Sequence, residues 1–128
     1  MRPKLGLIAL LAVCFLAGSH TLFAHHGNAS YDTSKTATVT GTVTEYHWAN
    51  PHVFVKVDAK DENGNLMHWS IETQNIVTEV NAGWTKDTFK PGDQVIIDIT
   101  PAKNGAPFGR FKGRIVINGQ TFKSADQR

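Results

Sequence analysis

Polar and apolar residues alternate with a period of two along much of this chain. From Thr36 the order Thr-Ala-Thr-Val-Thr-Gly-Thr-Val-Thr sets small apolar residues between threonines, and the run continues through Glu45-Tyr46-His47-Trp48. Every second side chain of a pleated strand faces the same side, so this pattern predicts a strand with one wet face. Pro51, in Ala49-Asn50-Pro51, cannot donate to a ladder and ends it. Gly41 predicts a bulge or tight bend within it.

The next segments follow the same logic. Residues 53–58 form a predicted second strand with Val53, Val55 and Val57 inward and Phe54 outward. Asn63-Gly64 is a hairpin signal leading into a third strand, residues 66–72, with Met67, Trp69 and Ile71 inward. His68, Ser70 and Glu72 then form an exposed polar ladder. Residues 74–82 carry Ile76, Val77 and Val80 at helical spacing and end at Gly83, a short helix with a glycine cap. Lys90-Pro91-Gly92-Asp93 turns the chain into a fourth strand, residues 94–100. After the loop of residues 103–109 comes a fifth, residues 110–118, and Asn118-Gly119 leads to a short tail strand. Three strands, a short helix and two strands is the order of a five-stranded OB-like barrel, an all-β fold with one short helix. A lipocalin-like barrel needs more strands, and a sandwich does not call for the helix.

The N-terminus breaks the alternation. Arg2 and Lys4 precede an apolar run over residues 5–17, then Gly18-Ser19-His20. Basic, apolar, small is the order of a secretory signal peptide, and the run is shorter than the roughly 20 residues of a membrane anchor. Ala24 suits the position before the cut, whereas Leu22, two positions earlier, is bulkier than the usual small residue, so a cut within residues 17–19 is the alternative. Val13 before Cys14 departs from a lipoprotein acylation site. The expected organisation is a signal peptide over residues 1–24, an arm over 25–35 and the barrel domain over 36–128. The expected location is periplasmic or secreted, without stable membrane insertion once the leader is cut.

Losing the leader changes the composition. The only cysteine goes with it, which excludes thiolate chemistry and internal disulfides. Thirteen basic residues against eleven acidic ones become eleven against eleven without Arg2 and Lys4. A balanced charge argues against nucleic acid, whose phosphates call for a basic surface.

His25-His26-Gly27 with Tyr31-Asp32, Gly41-Thr42-Val43, Trp48-Ala49-Asn50-Pro51-His52, Gly83-Trp84 and Lys90-Pro91-Gly92-Asp93 resembles a family of small exported bacterial proteins classed as a domain of unknown function. The resemblance covers essentially the whole mature chain. It implies no activity, so function rests on the residues.

Five histidines lie beyond the leader: His25, His26, His47, His52 and His68. Imidazole nitrogen suits copper and zinc. If the cut follows Ala24, the amine and ring of His25 chelate one metal, and a further imidazole completes a T-shaped set. In ligand geometry alone this resembles the histidine brace of copper oxygenases and periplasmic copper carriers. The predicted metal site is His25, His26 and His52, with His47 as a fourth ligand or supporting partner and copper ahead of zinc. The expected role is a carrier, sensor or accessory factor. The competing reading makes His25 and His26 a solvated terminus and His52 a loop-stabilising hydrogen bonder.

A rival function uses the barrel face. OB barrels bind ligands across strands two and three, often with aromatic platforms. Trp48, Phe54 and Trp84 are the predicted binding surface of a metal-free module that docks an exported protein partner or other ligand. Lys103, Arg110, Lys112 and Arg114 form a basic stripe that reads as a solvated strand edge. No nucleophile motif such as GxSxG appears, and Glu45, Glu72 and Asp98 show no spacing that recommends acid–base catalysis. The pattern leans away from an enzyme.

Overall fold

The computed structural model describes residues 30–123. The predicted signal peptide, His25 and His26 lie outside them. The described elements are β1 (Ala37–His47), β2 (Phe54–Lys60), β3 (Leu66–Glu72), α1 (Ile76–Asn81), β4 (Gln94–Pro101), β5 (Phe108–Ile117) and β6 (Gln120–Thr121). Sheet order is β3-β2-β1-β4-β5-β6, antiparallel between neighbours, and a parallel β3–β5 pairing closes the first five strands into a barrel. This is the predicted OB fold, with α1 between the third and fourth strands.

Strand parity explains the core. Val39, Val43, Val55, Val57, Ile71, Val95, Ile97, Ile99 and Ile115 fill the barrel from all five closing strands. Trp84 and Phe89 seal one end, with Trp84 edge-on to Phe89, Phe111 and Phe122 at ring separations of 5.4, 5.5 and 5.8 Å. α1 begins at Asn75, whose side chain accepts from Thr78 N, and the chain leaves it through Gly83 at φ +90°. That positive φ is where a glycine costs least.

The bulge in β1 lies elsewhere than predicted. The β1–β2 register shifts between Val43 and Glu45, at Thr44, the last residue of the threonine face. An extra residue reverses parity beyond it. Tyr46 and Trp48 therefore pack against the core, and Glu45 and His47 turn to the outer face. Gly41 serves a different purpose: a Cβ there would stand 2.1 Å from the Asp58 carbonyl oxygen on β2. Its strand tolerates no side chain at that point of closest backbone approach.

Candidate functional site

Register across the barrel assembles the outer face from four strands. His47 on β1 pairs with Phe54 on β2, Phe54 with Glu72 on β3, and Glu72 with Arg110 on β5. The next row holds Glu45, Lys56, Ser70 and Phe108. Parity alone makes Glu72 an exposed rung, as predicted for the ladder His68-Ser70-Glu72. The structure corrects this, because Glu72 is 4% exposed.

Two segments cover it. The arm lies antiparallel to the end of β4, with Asp32 N donating to Pro101 O at 2.9 Å and Lys103 N to Ser30 O at 3.0 Å. This pins Tyr31, opposite Ala102, so that its hydroxyl donates to Glu72 Oε2. From the other side, the β1–β2 loop carries Asn50-Pro51-His52, whose 50–51 peptide is cis. Asn50 Oδ1 accepts from Ile76 N, while Val53 N donates to Gln74 O and Thr73 N to Val53 O. So stitched, the loop places His52 Nδ1 in a hydrogen bond with Glu72 Oε1. The Arg110 guanidinium stands 3.7 Å from Oε2 and 4.5 Å from the Tyr31 ring centre, a cation over an aromatic face.

The electrostatics follow from burial. Burial first, and the neighbouring Glu72 second, raise the Tyr31 phenol above its ordinary range, so it remains a proton donor to the carboxylate. A carboxylate only accepts, so Nδ1 is the donor in this hydrogen bond, and in the neutral imidazole the lone pair is on Nε2. The His52 side chain is 40% exposed. The ring is thus held from inside through Nδ1 and partly exposed on the outer face.

The other predicted site residues divide. His47 faces outward opposite Phe54, two strands from Glu72, and does not join the His52 pair. Among the described residues, no three of His, Cys, Asp and Glu gather to hold a metal ion. Tyr31 brings the arm to the same carboxylate as His52. Five residue steps separate Tyr31 from His26, an extended reach of about 17 Å. His68 bonds Asp58 across β2 at 2.6 Å, away from the pair.

Of the predicted binding surface, only Phe54 lies on the outer face. Trp84, 3% exposed, is core, and Trp48 is half-buried against that core, because the Thr44 bulge turned it inward. The basic stripe is also broken up: Arg114 forks onto Asp98 at 2.8 Å, Lys112 reaches Thr36 Oγ1 at 2.8 Å, and Arg110 faces Glu72. Glu72, Arg110 and Phe108 were not expected at a site. Their meeting depends on the β3–β5 closure, which no local pattern encodes; the signal available was a carboxylate ending an outward row beside a histidine loop.

Topology and closure thus define a small OB-type barrel with a clasped outer face. The chain belongs to a family of unknown function, DUF6152, which matches residues 13–111. No curated protein matches it. Among solved structures it is similar to the mitochondrial single-stranded DNA binding protein Rim1 of S. cerevisiae, at 12% identity and a TM-score of 0.48, over 65% of this chain and 92% of that one.

Proposed function

We propose that the protein is an exported metal-binding factor of the periplasm, which takes copper in preference to zinc and acts as a carrier, sensor or accessory factor. The observation that carries this reading is the Glu72–His52 pair. Metal-binding histidines commonly donate their second ring N–H to a carboxylate, which fixes the tautomer and strengthens the nitrogen facing the metal. His52 has that arrangement, on a side chain that is 40% exposed. The amine and imidazole of a terminal His25, with His26, supply the remaining nitrogens within the reach set by Tyr31. Nitrogen donors of this kind suit both metals, and copper binds the more tightly of the two.

The test starts with the intact mass of the exported chain, which should begin at His25. Calorimetric titration with Cu(II) should then give one site per chain. The same protein with one extra residue before His25 should bind far more weakly, because its amine no longer chelates with the His25 ring. Equal binding by both chains, or a mature chain starting elsewhere, contradicts the proposal.

A further inference from the structure

The outer face holds a second feature that the metal reading does not use. Beside the clasp, Glu45, His47, Phe54, Lys56 and Ser70 line an open cavity of about 410 Å³, within the size range of small-ligand sites. Phe54 forms its aromatic wall, and the Phe108 ring follows 6.3 Å away at 45°, itself stacked on Tyr31 at 5.7 Å. Beside the rings, in the same two rows of the outer face, are hydrogen-bonding groups of both kinds. Lys56 Nζ meets Glu45 Oε2 at 2.7 Å, with the two side chains 46% and 51% exposed. The ammonium donates, the carboxylate accepts, and the Ser70 hydroxyl does both.

Three ligand classes are distinguished by what surrounds this groove. A polyanion needs an excess of positive charge, whereas Lys56 is neutralised by Glu45, and residues 30–123 hold ten basic and ten acidic side chains. A peptide added as a strand needs a free sheet edge, but β2 is paired along its length on both β1 and β3, and the Ser70–Glu72 end of β3 is taken by β5. An amphipathic helix needs a continuous apolar trough, whereas here charged and polar groups are interspersed with the rings. An uncharged sugar ring matches both features: its C–H face lies on an aromatic ring and its hydroxyls exchange hydrogen bonds with mixed donors and acceptors.

We infer that this groove binds an uncharged glycan chain, with one sugar stacked on Phe54 and hydroxyls held by Glu45, Lys56 and Ser70, the chain continuing toward Phe108. The site is independent of metal and uses none of the histidines His25, His26 or His52.

The experiment uses the metal-free purified protein, titrated with chitohexaose, cellohexaose and maltohexaose, with heparin and oligo-dT as charged probes, and followed by backbone amide NMR. Saturable binding of one neutral hexaose is expected, with shifts centred on Phe54, Lys56, Ser70 and Phe108. Phe54→Ala should weaken it about tenfold or more and Phe54→Tyr should retain it, in keeping with the loss of one stacking platform. If Phe54→Ala does not fold, the exposed Lys56→Ala replaces it and should also weaken binding. The inference is overturned if no neutral hexaose binds, if shifts map elsewhere, if neither alanine variant changes affinity, or if heparin or oligo-dT binds more tightly.

Discussion

His52 and Tyr31 meet on opposite oxygens of one buried carboxylate, Glu72, although twenty-one positions separate them in the chain. One comes from the β1–β2 loop and the other from the arm. Their shared acceptor couples the chain leading to His26 to the loop histidine.

Tyr31→Phe isolates that coupling, since the ring stays on Phe108 and under Arg110 while the hydroxyl is lost. Among the described residues, the partner then left to Glu72 Oε2 is the guanidinium at 3.7 Å. The fold should lose about 1–2 kcal/mol in urea denaturation, the cost of leaving a buried acceptor short of a partner. Proteolysis of the arm near Ser30 should accelerate in parallel.

Glu72→Gln removes the charge that orients His52 and keeps its size. Copper affinity should fall about 10- to 100-fold, as for the loss of a carboxylate supporting a metal-bound histidine. Calorimetry on folded protein, verified by circular dichroism, measures it. Unchanged affinity would mean that the pair only closes the loop.

Gly41→Ala tests the closest approach of β1 and β2. The new methyl group would meet the Asp58 carbonyl 2.1 Å away, and a paired backbone cannot yield as a flexible side chain does. A loss of more than about 2 kcal/mol is expected in denaturant titration.

Acid stability should depend on Asp98. Hydrogen bonds from Arg114, then Thr38, hold its carboxyl at about 2 against an ordinary 3.8. A depressed folded value means that the unfolded chain takes up the proton first, so this contribution is complete above the ordinary value and disappears as pH falls toward 2. Asp98→Asn should cost about 1 kcal/mol at neutral pH, discounted for the exposure of the Arg114 partner. The variant and wild type should converge in stability as pH falls from about 4 toward 2.

Much of the barrel was legible because most of its strand residues alternate with a period of two: the inward set Val53, Val55, Val57 and Ile71 is buried as parity requires. The bulge was misplaced to Gly41 because glycine marks both bulges and close approaches, and a threonine at position 44 marks neither. His52 was legible as a candidate from its rigid loop. Glu72 was not, because its burial comes from Tyr31 and His52, which reach it from 41 and 20 positions away. Trp84 looked available beside a glycine turn, yet the open end of a small barrel needs a large ring to seal it.

Electron spin echo spectroscopy of the Cu(II)-loaded protein tests most directly whether His52 Nε2 is a metal ligand, by comparing wild type with His52→Ala. The expected result is the loss of one coordinated imidazole from the spectrum together with a fall in copper affinity of more than about tenfold. Identical spectra and equal affinity in the two proteins would contradict the assignment.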